Sequence, residues 1–214
     1  MAERRATSPV VYVIDDDASI RDSLALMLGL AGYSTRLFAD AESFLSAFDD
    51  GWTGCVLADL RLPGMSGTEL QARVRERGSA IPFVIITAHG DVAAARAAFR
   101  AQAVDFIEKP FDESQLRTAI EAAFALEQKR ASVAEQDRAV QQKLARLTSR
   151  EREVLREAAK GLHAKEIAAA LGISARTVEV HKTRIMDKLE VRNIGELVRF
   201  ALAAEQGGPA RNDN

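Results

Sequence analysis

Cysteine is nearly absent from this 214-residue chain: Cys55 stands alone. One thiol excludes an intramolecular disulfide and any multi-cysteine metal site. The three histidines, His89, His163 and His181, are scattered, which argues against a zinc centre. No apolar run approaches the ~18–20 residues that a bilayer span needs. The first nine residues carry arginines but no apolar stretch of the signal-peptide kind. The expectation is a cytoplasmic protein with no membrane partner. Neither glycine nor proline occurs between Asp112 and Lys160, so that stretch has no turn punctuation. What the chain does have is 47% hydrophobic and 28% charged residues, enough for a core and unlike a disordered or collagen-like chain. Its length suits one large domain or two small ones. The net charge of −2 hides an asymmetry: residues 1–124 carry −6 and residues 125–214 carry +4. An acidic front and a basic back suggest two domains with different partners.

The front half alternates two patterns. Val10–Ile14 is a continuous apolar run with β-branched residues, read as a buried strand that stops at Asp15-Asp16-Asp17. A helical stripe of Ile20, Leu24, Met27 and Leu28 follows and closes at Gly32. Further strands are read at 35–38, at 55–58 ending on Asp59, at 83–87 and at 105–107, the last stopped by Lys109-Pro110. Helices are read near 41–48, from Gly67, over 92–101, and from Asp112 with Leu116, Ile120 and Phe124 on its stripe. Repeated βα units imply a five-stranded, doubly wound parallel sheet of flavodoxin-like α/β class. In such sheets functional groups gather at the carboxyl ends of the strands. Asp15, Asp16, Asp59, Thr87 and Lys109 all fall there.

Residues 127–146 are rich in Ala, Gln, Glu, Lys and Arg, good helix formers, and read as a helical linker. A solvated flexible tether is the alternative. Thr148-Ser149-Arg150-Glu151 has capping-box form and opens a helix that stops at Gly161. Helices over 164–171 and from Ser174 to Leu189, joined by the turn Gly172-Ile173-Ser174, have helix-turn-helix form. A fourth helix covers 194–204. The expected domains are 9–125, a linker over 126–146, an all-α four-helix domain over 147–206, and a disordered tail over 207–214.

Carboxylates from two strand ends make a hard-oxygen site of the kind Mg²⁺ prefers. Asp59 then has the character of a carboxylate nucleophile towards phosphorus. Mg²⁺ and the Lys109 ammonium would stabilise charge on the phosphoryl oxygens, and Thr87 would donate a hydrogen bond. Each residue singly also has an ordinary turn or strand-end reading. Four suitable types at four strand ends make coincidence a poor explanation.

The segments VIDDDASIRDSL, VLADLRLPGMSG, IITAHGD and DFIEKPF resemble, in order and spacing, the receiver domain of two-component response regulators. That resemblance makes Asp59 the acceptor of a phosphoryl group from a sensor histidine kinase. It gives Mg²⁺ to Asp15, Asp16, Asp59 and the backbone carbonyl of Arg61, with Asp16 the more direct of the first pair. Thr87 becomes the switch hydroxyl, Lys109 the phosphate-pairing lysine, and Phe106 the rotating aromatic, where Tyr is more common. The Lys109–Pro110 bond would be cis. Arg61 and His89 take the two variable positions that tune dephosphorylation. The segments LTSREREVL and AKEIAAALGISARTVEVHKTRIMDKL resemble the LuxR-type DNA-binding domain. Together the two halves resemble the FixJ branch of the NarL/FixJ response regulators. The resemblance implies promoter DNA and RNA polymerase as partners and a homodimer on phosphorylation.

On the third helix of this second half, Val178, Ile185 and Leu189 share one stripe, expected to be core. Arg176, Val180, Thr183 and Arg184 lie opposite, with Glu179 at the edge. Such a face suits a major groove. Family base contacts fall mainly at Glu179, Val180 and Thr183, leaving Lys165, Thr177 and His181 for phosphate. His181 also lies near the core stripe, so packing is its other reading.

A haloacid-dehalogenase-like phosphatase is the second reading, with Asp15 as nucleophile and Asp17 as general acid/base. Ser19 departs from that family's Thr or Val, a downstream acidic pair is missing, and Asp59 would have no task. A DNA-binding regulator indifferent to phosphorylation is the third. The leading reading is a non-enzymatic, phosphorylation-switched transcriptional regulator.

Overall fold

Five parallel strands pair in the order β2-β1-β3-β4-β5. The strands are β1 (Val10–Ile14), β2 (Ser34–Phe38), β3 (Cys55–Asp59), β4 (Phe83–Ala88) and β5 (Asp105–Lys109). They are joined by α1 (Ala18–Leu30), α2 (Ala41–Ala47) and α3 (Gly67–Glu76), and followed by α4 (Glu113–Ala145). The computed structural model describes residues 9–88 and 103–206. The expected helix over 92–101, the position of His89 and the expected tail over 207–214 lie outside them. The chain divides into two compact units, Met1–Ala131 and Ser132–Asn214.

Period-two alternation sorts the sheet's side chains into two cores. Tyr12, Ile14, Val56, Ala58, Phe83 and Ile85 point to one face, where Phe44, Leu70 and Val74 of α2 and α3 cover them. Val11, Val13, Leu57, Val84 and Ile86 point to the other, under Leu24 and Leu28 of α1 and Leu116 and Ile120 of α4. Burial on both faces is why β1, β3 and β4 read as unbroken apolar runs. β2 is an edge strand, and two of its five residues are half-buried and three exposed. β5 runs two residues past the expected 107. Thr87 pairs with Glu108 and Ala88 with Lys109, so the ladder continues through charged residues that hydropathy alone reads as strand end.

The helices start where the sequence supplies caps. Asp17, Asp40 and Ser66 cap α1, α2 and α3, and Ser66 forms a full capping box with Glu69.

In the second unit, α5 (Ser149–Ala159), α6 (Ala164–Leu171), α7 (Ala175–Leu189) and α8 (Ile194–Gln206) surround one core. Val154, Leu155, Ile167, Val178, Ile185, Leu189 and Leu197 fill it, and Leu144 from the last turn of α4 joins them. The Thr148–Glu151 capping box is formed, and Gly172 ends α6 in the left-handed region at φ 64°. Residues 113–145 form one unbroken helix, so the predicted linker segment continues the helix before it.

Candidate functional site

The sheet register brings the acidic residues together. Ile14 lies opposite Ala58, so Asp15 and Asp59 leave β1 and β3 side by side. Both are buried, 1% and 8% exposed. The Lys109 ammonium, from the end of β5, donates to Asp15 Oδ2 at 2.8 Å and also to Asp59 Oδ2. Asp15 is further held by the Asp17 amide at 2.9 Å, and Asp59 by the Arg61 amide at 2.8 Å. Burial raises the Asp59 carboxyl above its ordinary value, with the hydrogen bonds from Lys109 and Arg61 opposing. Burial would lower Lys109, but its bonds to Asp15 and Asp59 outweigh that and hold the ammonium charged.

Thr87 sits on the adjacent strand β4, 1% exposed. Its buried Oγ1 has no hydrogen-bond partner among the described residues. A buried hydroxyl left unsatisfied costs about 1–3 kcal/mol, so the position favours any acceptor placed beside it. Phe106 is half-buried against the core under α2 and α3. The Lys109–Pro110 peptide bond is cis.

Asp16 differs from its neighbour: it is exposed, and the residue that meets Lys109 is Asp15. Asp17 is occupied as the cap of α1. Its Oδ1 accepts from Ser19 N at 2.8 Å, Ser19 Oγ at 2.6 Å and Ile20 N at 3.4 Å. The hydrogen bonds to Ser19 lower its pKa, the wrong direction for a general acid. The phosphatase reading loses its second catalytic residue here.

The donor set is all oxygen, in keeping with Mg²⁺. Among the described residues no group of three or more His, Cys, Asp or Glu side chains is already arranged to hold an ion. The Lys109 ammonium occupies the space between the two buried carboxylates.

Two positioning residues escaped the sequence reading. Arg21 Nη1 donates to the Asp15 carbonyl at 2.6 Å and pins the turn after β1. Gly67 donates its amide to Leu60 O at 3.0 Å, and a Cβ there would collide with the Asp59 carbonyl. The clue in the sequence was a glycine at the start of a helix, where its low propensity asks for a reason.

In the second unit α7 buries Val178, Ile185 and Leu189, as its stripe predicts. Arg176, Glu179, Val180, Thr183 and Arg184 are exposed, Val180 to 43%. Lys165 on α6 is exposed too. Thr177 is engaged at the N-terminus of α7: its amide donates to Ser174 Oγ at 3.1 Å and its hydroxyl lies 2.8 Å from the same atom. His181 is half-buried, with its Nδ1 buried and unpartnered among the described residues. Arg150 Nη2 donates to the carbonyl of Leu171, bracing the turn between α6 and α7.

Comparison with known proteins gives the same division. Residues 11–121 match the response regulator receiver domain, and residues 145–201 match the LuxR family of bacterial regulatory proteins. The chain is 42% identical over 198 residues to the transcriptional regulatory protein FixJ of Bradyrhizobium diazoefficiens, covering 91% of this chain and 95% of that one. The solved response regulator StyR is similar at TM-score 0.81 and 40% identity, over 92% of this chain and 99% of StyR. Full-length FixJ from B. japonicum is similar at TM-score 0.59 and 40% identity, over 95% and 100%.

Proposed function

The chain belongs to the response regulators that join a receiver domain to a LuxR-type DNA-binding domain, and from that premise we propose that Asp59 is its phosphoacceptor and α7 its DNA-reading helix. The observation that carries the reading is the Asp15–Lys109–Asp59 bridge beside a buried Thr87 hydroxyl that has no partner among the described residues.

Asp59 attacks phosphorus through the Oδ atom that accepts from Lys109. As the new P–O bond forms, the bond to the donor's leaving group breaks. Lys109 is poised to pair with the phosphoryl oxygens, and the Arg61 amide keeps the other Asp59 oxygen in place. Asp15, Asp16, Asp59 and the Arg61 carbonyl would hold Mg²⁺, which supplies charge stabilisation to the phosphoryl oxygens. Thr87 gains an acceptor for the buried hydroxyl that has none among the described residues, and this provides a driving force for the strand end to move. Phe106 is placed to turn inward as Thr87 moves. The receiver surface then changes, two copies associate, and paired recognition helices bind two half-sites of promoter DNA more tightly than one. RNA polymerase, a cognate sensor histidine kinase and a cytoplasmic location complete the reading.

On α7, Glu179, Val180 and Thr183 are placed to meet base edges. Arg176, Arg184 and Lys165 are placed for phosphate, with Thr177 and His181 at the edge of that surface.

The test is chemical. Incubating the protein with a small-molecule phosphodonor and Mg²⁺, then reducing with borohydride, converts an acyl phosphate to homoserine at the modified position. Homoserine at residue 59, absent from Asp59→Asn, is the expected result. Modification at Asp15 instead would overturn the assignment.

A further inference from the structure

The floor of the first unit, at the end of the sheet away from Asp59, carries a polar clasp that the phosphoryl chemistry does not use. Glu127 Oε1 accepts from the Gly54 amide at 2.7 Å, and Arg130 Nη1 donates to the Ala80 carbonyl. Both side chains belong to α4, one turn apart. Gly54 directly precedes β3, and Ala80 lies just before β4. Those two strands end in Asp59 and carry Thr87.

The clasp is specific on both sides. Gly54 has φ 123°, and a Cβ there would collide with the Val10 carbonyl, so the backbone that aims its amide at Glu127 is one only glycine provides. Glu127 is a half-buried carboxylate that accepts from that neutral amide, and burial raises its pKa. Just beyond Arg130 the nine residues 131–139 are all exposed. The clasp is therefore the last place where α4 is fastened to the first unit before the chain enters the second.

We propose that Glu127 and Arg130 moor α4 to the leading ends of β3 and β4, and that this mooring passes the displacement of the phosphorylated strands into the helix that leads to the DNA-binding unit. The proposal rests on the switch reading above. Glu127 and Arg130 are positioning residues, remote from the reacting atoms.

The test uses the full chain. Amide hydrogen exchange at Gly54, phosphorylation of Asp59, and DNA affinity with and without beryllofluoride and Mg²⁺ are measured for wild type, Glu127→Ala, Glu127→Gln and Arg130→Ala. Glutamine retains an acceptor oxygen and serves as the conservative rescue. Glu127→Ala should raise Gly54 exchange about tenfold, as expected for loss of one hydrogen bond. It should leave phosphorylation unchanged and abolish most of the beryllofluoride gain in DNA affinity, with Arg130→Ala behaving likewise. Glu127→Gln should restore both exchange protection and gain. An alanine variant that keeps the wild-type gain overturns the mooring alone. A wild type that shows no gain overturns the switch reading and the mooring with it.

Discussion

Gly67, the first residue of α3, lies directly against the carbonyl of Asp59, with its amide bonded to Leu60 O at 3.0 Å. Asp59, the proposed phosphoacceptor, is thus fixed from behind by a residue that has no side chain. Helix α3 closes on the loop after β3 only because nothing projects from that position.

Gly67→Ala is expected to push this loop away from the strand end and destabilise the first unit by about 1–3 kcal/mol, the usual cost of overpacking. Trp52 is the one tryptophan of the chain and lies in that unit. Denaturant unfolding followed by its fluorescence reads the loss. The rate of modification by a small phosphodonor should fall more than stability does, because Asp59 itself is displaced.

Lys109→Met removes the cation shared by Asp15 and Asp59 and leaves two buried carboxylates facing each other. The first unit should lose about 2–3 kcal/mol at neutral pH, below the full cost of breaking a deeply buried pair because the lysine is partly exposed. The deficit should shrink as pH falls and the carboxylates protonate. In wild type the lysine pKa is raised, so its contribution holds through neutral pH and is lost as pH rises through the folded-state value. Urea midpoints of wild type and variant from acid to alkaline pH check both limbs.

Glu151 anchors the second unit. It is 3% exposed, accepts from Thr148 N at 2.8 Å and pairs with Lys188 of α7 at 2.7 Å. Burial pushes its pKa up, but the bonds from Lys188 and Thr148 outweigh it and the net shift is downward. The stabilisation is therefore present above the ordinary carboxyl value and lost as pH falls through the lowered one. Glu151→Ala should cost about 1–3 kcal/mol at neutral pH. Helical circular dichroism should show the gap to wild type closing in acid.

On the proposed DNA-reading face of α7, replacing Glu179 or Val180 by Ala should change which base pairs are preferred, by about 1–3 kcal/mol at the affected position. Lys165→Ala should weaken all sequences alike and reduce the salt slope by about one. Competition binding over single-base operator variants at several salt concentrations separates the two classes.

Much of this was legible in the sequence, because periodicity and caps are local. The apolar runs of β1, β3 and β4, the Thr148–Glu151 box and the Val178–Ile185–Leu189 stripe each declare themselves within a few residues. Asp15, Asp59, Thr87 and Lys109 were found because strand ends in a parallel sheet share one edge. What stayed hidden depends on contacts between distant segments. Nothing near Asp15 and Asp16 says which of the two turns inward; the buried one is Asp15, which meets Lys109 from 94 residues away. The ends of β4 and β5 follow from cross-strand pairing of Ala88 with Lys109. Gly54 and Glu127 are 73 residues apart, and no local pattern links them.

The most direct test of the central claim is DNA binding and sedimentation of wild type and Asp59→Asn, each with and without beryllofluoride and Mg²⁺. Beryllofluoride stands in for the phosphoryl group on the aspartate. Dimerisation and tighter DNA binding in wild type alone is the predicted result. An unresponsive wild type, or an Asp59→Asn protein that responds equally, would contradict the account.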